Sequence, residues 1–428
     1  MTRRTGGADL PLHGGRVPEW LAQRMAALGR VIVEALVLEY GRDEVLRRLG
    51  HPFWFQSFGA VMGMDWHSSG ITTSVLAALK RGLAPVSDEL GIHVCGGRGR
   101  ASRRTPSELR EHSERLGLDG EALIRASRLV AKVDNCAVQD GFQLYLHGFI
   151  LTDQGRWVVI QQGMAPQVGQ ARRYHWVSEA VESFVESPHA AIEGEPLGEI
   201  VNLADIRAAR ARSQAIELAS NGPEALVGAV REARRASGAG PGPMLQMPLH
   251  HDVRPENVVE RRLHGALASV REAGVETFES LLLTPGLGPR TLQTLAFVAE
   301  VIHGAPSRFS DPARFSLALG GKDGHPFPVP VKVYDDTLRV LRKAIANARL
   351  GREEGTAALR RIDARARALE MTENGPGVQK FVERERQSSW RYGGRTVSGP
   401  AVPPRSGRRQ LELFSSPRSG GRRKGPFV

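Results

Sequence analysis

Two runs in the middle of the chain, Phe142–Leu151 and Arg156–Gln162, carry the signature of β-strands, while the sequence on either side is patterned for helices. The turn Thr152-Asp153-Gln154-Gly155 joins the two runs into a hairpin. Along the first run Phe142, Leu144 and Leu146 fall on one face, and Gln143, Tyr145 and His147 on the other. One clear sheet signal among helices predicts an α+β fold. A mixed N-terminal domain, with a β-hairpin or small sheet packed by helices, is followed by a helical C-terminal domain. A chain of 428 residues has room for two or three domains and for a real core.

Pro18 opens a long amphipathic helix that runs to about Leu49, and Thr72–Arg81 reads as a short helix. His51–Met64, with Phe53, Trp54, Phe55 and Phe58, is too apolar for a surface loop. Gly96–Arg104 is a glycine-arginine loop. Thr105-Pro106-Ser107-Glu108 then starts a helix as a capping box, with Pro106 at the first helical position. Gly120–Lys132 is another helix, and Leu203–Arg235 an arginine-rich one. The run Ser237-Gly238-Ala239-Gly240-Pro241-Gly242-Pro243 reads as a linker. It divides an N-terminal domain at 1–236 from a helical domain at 244–371. From 372 to 428 the composition turns to Gly, Pro, Ser and Arg, which favours a disordered basic tail.

The net charge is +12, and its placement matters more than its size. Arg391–Val428 holds nine basic residues and one acid, so the tail carries most of the excess. A cationic tail attracts polyanions without reading sequence; the plain alternative is a solubilising tail. Cys95 and Cys136 are far apart and form no CxxC pair, which argues against a disulfide framework or a zinc-cysteine site and fits a reducing cytoplasm. No apolar run approaches the roughly 18 residues of a membrane span. The N-terminus also lacks the apolar segment of a signal peptide.

In the second half, Val275–Leu283 and Arg290–His303 are apolar at helical spacing and flank Thr284-Pro285-Gly286-Leu287-Gly288-Pro289. Two short helices joined by a turn with glycines two apart resemble the helix-hairpin-helix family. The resemblance implies a grip on DNA phosphates through backbone amides. Gly286 and Gly288 allow conformations and a close approach that a Cβ would block. The amides at the start of the second helix can point at phosphate oxygens, and Arg290 adds charge. Such a grip ignores base identity. The bland alternative is a helical hairpin in the core. Arg98, Arg100, Arg103 and Arg104, in the glycine-rich loop before Thr105, form a second candidate backbone contact, or else a solvated loop.

Within the tail, Gln410-Leu411-Glu412-Leu413-Phe414 is an apolar island in a basic stretch. It resembles the short peptide by which bacterial repair and replication proteins dock on the sliding clamp, with Glu412 where that pattern usually has serine or aspartate. The resemblance implies that Gln410, Leu411, Leu413 and Phe414 enter a partner's pocket.

The N-terminal half is dense in polar and glycine clusters. They include Asp9–Arg16, Asp65–Gly70, Lys132-Val133-Asp134-Asn135, Gln139-Asp140-Gly141, Gln161-Gln162-Gly163-Met164 and Arg172-Arg173-Tyr174-His175-Trp176. With Gly320-Gly321-Lys322-Asp323-Gly324, they resemble a prokaryotic family catalogued as domain of unknown function 763, over roughly residues 3 to 359. That resemblance implies no chemistry. Read physically, Lys132, Asp134, Asp140 and Gln161 are the ingredients of a nuclease. Asp134 and Asp140 would hold magnesium or manganese, and Lys132 would help position water. Gly163 and Met164 break the usual strand pattern after Gln161 and Gln162. The structural alternative is a buried polar network tying the hairpin to the helices. His67, His147, His175 and His189 are scattered and read more readily as hydrogen-bonded groups than as metal ligands.

Three functions follow as expectations. The first is a metal-dependent nuclease of DNA repair or replication, cytoplasmic and associated with the nucleoid. The second is a non-enzymatic adaptor between DNA and the clamp. The third is a DNA glycosylase, suggested by Phe327-Pro328-Val329 and Asp335 after the hairpin.

Overall fold

The computed structural model describes residues 10–11, 19–62, 70–165, 170–194, 196–228 and 260–313, together with 339–341, 343, 346, 395–396 and 399–400. The fold is α+β. After β1 (Leu10–Pro11) come α1 (Glu19–Tyr40), α2 (Arg42–Gly50), α3 (Pro52–Val61) and α4 (Gly70–Leu83). The single helix expected from Pro18 to Leu49 is thus two, parted at Gly41, whose N–H closes α1 on the Val37 carbonyl at 2.9 Å. The aromatic run after His51 is α3, and Phe53, Trp54, Phe55 and Phe58 are all buried.

Next come α5 (Ser87–Leu90), β2 (Ile92–Arg98) and a 3-10 segment, Gly99–Arg104. The pair α6 (Thr105–Leu116) and α7 (Gly120–Lys132) follows. The expected capping box at Thr105 does not form. Arg104 occupies the cap position, the Thr105 hydroxyl donates to the Ser102 carbonyl, and Glu108 accepts from the Gly96 N–H and from Lys80. Tertiary partners outcompete the local motif. At the next turn Asp119 does cap α7, accepting from the Ala122 N–H at 3.0 Å. A single π turn, Val133–Ala137, ends α7 and leads into β3 (Val138–Gln139).

The expected hairpin is β4 (Gln143–Thr152) and β5 (Trp157–Ala165). It belongs to a larger antiparallel sheet with β6 (Gln170–Val177) and β7 (Ala191–Glu193). The strand order is β1-β6-β5-β4-β2, with β7 also on β6. The strands β8 (Glu199–Asn202) and β9 (Arg308–Ser310) form a second antiparallel sheet with β3. The remaining helices are α8 (Ala209–Ser220), α9 (Glu260–Ala273), α10 (Phe278–Leu283) and α11 (Pro289–His303).

Both faces of the large sheet are covered. Leu146, Ile150, Val158 and Ile160 meet Phe55, Phe58 and Leu76 on one side. Phe149, Leu151, Val159, Tyr174 and Trp176 share the other side with residues of α6 to α11. Strands buried on both faces lose the apolar-polar alternation that reveals a half-exposed strand. The pairing register also slips between Leu144 and Leu146. Such a bulge reverses the facing of what precedes it. Leu144 and Leu146, expected on one face, therefore pack into opposite cores.

The linker at 237–243 lies outside the described residues. The helices beyond it share a hydrophobic core with the sheet before it, and Phe309 of β9 pairs with Ile200 of β8. Two short strands, Arg395–Thr396 and Gly399–Pro400, pair within the tail region; the rest of that region lies outside the described residues. Among the described residues no helix is long and apolar enough to cross a membrane.

Candidate nucleic-acid interface

The two helices of the expected helix-hairpin-helix are α10 and α11. Thr277 and Ser280 cap α10 reciprocally, so the helix begins at Phe278 and not at Val275 as expected. Leu281, Leu282, Leu287, Leu292 and Leu295 are buried, whereas Pro285, Gly286, Pro289 and Arg290 are exposed. Gly286 has φ +81°, a conformation that favours glycine. Gly288 differs: its φ of −124° suits any residue and a Cβ there would meet nothing within 4 Å. Gly288 is the N-cap of α11 and offers no side-chain cap. Pro289 has no N–H, so the N–H groups left without an intrahelical or side-chain acceptor at the positive end of α11 are those of Arg290 and Thr291.

Lys132, expected at a catalytic centre, instead touches the hairpin. Its half-buried ammonium donates to the Leu287 carbonyl at 2.6 Å. Beside it, the Gln139 amide donates to the Pro289 carbonyl at 3.0 Å. The hairpin turn is fixed to the end of α7 and the end of β3.

Asp134 and Gln161 do come together. The π turn brings Asp134 to the sheet, where its carboxyl accepts from the Gln161 amide, from the Trp176 indole at 3.0 Å and from His189 Nε2 at 2.5 Å. Gln161 Oε1 accepts from His147 Nδ1 at 2.6 Å. Burial lowers the His147 pKa, so the ring is neutral and its Nε2 accepts from the Ser127 hydroxyl at 2.9 Å. The chain Ser127–His147–Gln161 runs donor to acceptor toward Asp134, and the Gln161 amide also donates to the Val130 carbonyl at 3.3 Å.

Asp140 belongs to a second network. Its carboxyl accepts from Arg172 at 2.9 Å, from the Tyr174 hydroxyl at 2.6 Å and from the Phe142 N–H at 3.1 Å. Arg172 also pairs with Asp311 at 2.8 Å. Burial pushes the Asp140 carboxyl up to about 6 against the pull of Arg172, with the Asp311 charge acting in the same direction as burial. As arranged, Asp134 and Asp140 do not fit a magnesium centre, because each is fully enclosed and surrounded by protein donors. Among the described residues no group of three or more His, Cys, Asp or Glu is placed to hold a metal ion.

Ser127, Trp176, Tyr174, Arg172 and Asp311 were not among the expected site residues. Arg172 and Arg173 follow each other on β6 and point into opposite cores. Arg173 is buried with Glu193, Gln56, Thr72 and His175. The run Arg172–Trp176 held the signal, since successive residues of a strand face opposite sides, but its charges disguised a core strand.

Arg98, Arg100, Arg103 and Arg104 are all exposed. The Arg98 guanidinium lies over the Tyr145 ring, 5.7 Å from its centroid. The peptide Gln410–Phe414, the glycine cluster at 320–324 and Asp335 lie outside the described residues.

No curated protein and no solved structure matches the sequence. A family model described as Protein of unknown function (DUF763) matches residues 6–329, well over half of the chain. On that match, the chain belongs to the DUF763 family.

Proposed function

We propose that this protein binds DNA by its phosphate backbone, with the hairpin of α10 and α11 as the grip. One observation carries this reading: the hairpin is anchored by five buried leucines while its tip, from Pro285 to Arg290, is exposed apart from Leu287 and half-buried Gly288. A rigid turn that offers free amides, a helix N-terminus and an arginine suits an anionic oxygen. Binding is better supported than hydrolysis, because the acids expected to hold a metal are enclosed in protein networks.

Gly288 provides the test. Its backbone accepts any side chain, so Gly288→Val keeps the turn but sets a branched group over the first amides of α11. Affinity for two duplexes of unrelated sequence, measured by fluorescence anisotropy, should fall about tenfold for both, the worth of one charge-assisted hydrogen bond. Unchanged affinity would remove the hairpin from the binding surface.

A further inference from the structure

The strip of α7 beside the hairpin is basic. Arg125, Arg128 and Lys132 are three and four residues apart and share one face of α7. Two walls flank this face. On one side Arg125 pairs with Glu279 of α10 at 2.8 Å, and Lys132 holds the Leu287 carbonyl. On the other side Glu121 pairs with Arg110 of α6 at 2.8 Å. Arg128, on the same face, is exposed.

Buried contacts through β4 join the start of α6, next to the arginine loop, to α7. A Cβ on Gly96 would collide with both the His147 carbonyl and Thr105 Oγ1, so β2, β4 and the start of α6 are in contact there. The His147 ring in turn reaches Ser127, the neighbour of Arg128 on α7. Exposed Arg103 and Arg104 immediately precede Thr105. Glu279 and Glu121 are each taken up in an ion pair, and Glu108, which lies 3.9 Å from Arg104, is held by Lys80 at 2.7 Å. Glu114 belongs to the last turn of α6, toward the α6–α7 connection and away from the hairpin.

We infer that Arg103, Arg104, Arg128, Lys132 and Arg290 form one continuous track for a phosphodiester strand, with Arg128 as the bridge between loop and hairpin. The inference rests on the proposed grip and extends it. From Ser127 to Lys132 the helix rises about 8 Å. With the side-chain reach at each end the track is on the order of 20 Å, about six nucleotides of one duplex strand. Lys132 also covers a carbonyl dipole that would otherwise repel phosphate at the turn.

The experiment is a salt titration of binding to a labelled 20-base-pair duplex by the full chain. Each phosphate contact contributes about 0.9 to the slope of log affinity against log salt. Arg128→Gln should lower the slope by about one, and Arg128→Lys should restore it. The double variant Arg103→Gln/Arg104→Gln should lower it by about two. A wild-type slope for Arg128→Gln, with Gly288→Val still weakening binding, would overturn the track and leave the hairpin grip standing. If Gly288→Val binds like the wild type, the grip itself fails and the track with it. Matching thermal melts for Arg128→Gln and the wild type establish that a lost slope is lost contact and not lost fold.

Discussion

At the scale of single residues, the chain spends its buried charges on joining segments that are distant in sequence. Arg172 ties Asp140, next to the hairpin, to Asp311, which follows the last strand. Removing one partner of such a buried pair leaves a charge without compensation, which typically costs about 3–5 kcal/mol. The same trio carries a pH dependence. A carboxyl whose folded-state pKa is raised from 3.8 to about 6 holds its proton more tightly in the native protein. Its contribution to stability is full below the unfolded value and is lost as pH rises through about 6. Wild-type stability should therefore fall relative to Asp140→Asn between about pH 4 and about pH 6. Melting temperatures of the two proteins across that range check it, and parallel curves would refute it. Asp134 and Asp140 were legible in the sequence as important. Sequence left a metal centre and a buried polar network both open, and the choice between them depends on Trp176, Tyr174 and Arg172 arriving from β6.

At the scale of elements, close approach and register decide what local pattern cannot. Gly82 near the end of α4 faces α1, and a Cβ there would collide with the Ala26 carbonyl. Alanine is the better helix former by about 1 kcal/mol, so helix propensity alone favours Gly82→Ala. The contact predicts the opposite sign: a loss of about 1–3 kcal/mol in urea unfolding. A stabilised variant would mean that α1 and α4 are not held this closely. The hairpin of β4 and β5 was readable from its turn and its apolar runs. The bulge at Tyr145 was not, since a one-residue slip leaves no mark in an apolar strand. The strands β2 and β6 escaped for a related reason: Gly96, Gly97, Arg172 and Arg173 are poor strand signals unless both sheet faces are known to be covered.

At the scale of the whole molecule, residues before and after the linker at 237–243 build one core. Leu267, Val270, Leu281, Leu292 and Leu295 pack in the same cluster as Phe149, Val159 and Trp176. A fragment ending at residue 236 would expose that apolar surface and leave β8 without β9. It should lack a cooperative thermal transition by circular dichroism, and a sharp transition would show that the N-terminal half folds alone. Sequence by itself determined the α+β class, most of the helices, the β-hairpin and the two helices on either side of the Pro285–Gly288 turn, because each depends on local period, turn chemistry or capping within a few residues. It also determined that the tail is basic, a matter of composition. Tertiary structure alone decided that the sheet is covered on both faces, that the expected catalytic acids are internal, and that Lys132 serves the hairpin. Those outcomes depend on contacts between residues as far apart as Lys132 and Leu287, or Arg172 and Asp311. No local pattern encodes them, because burial and pairing are fixed only when the distant partner arrives.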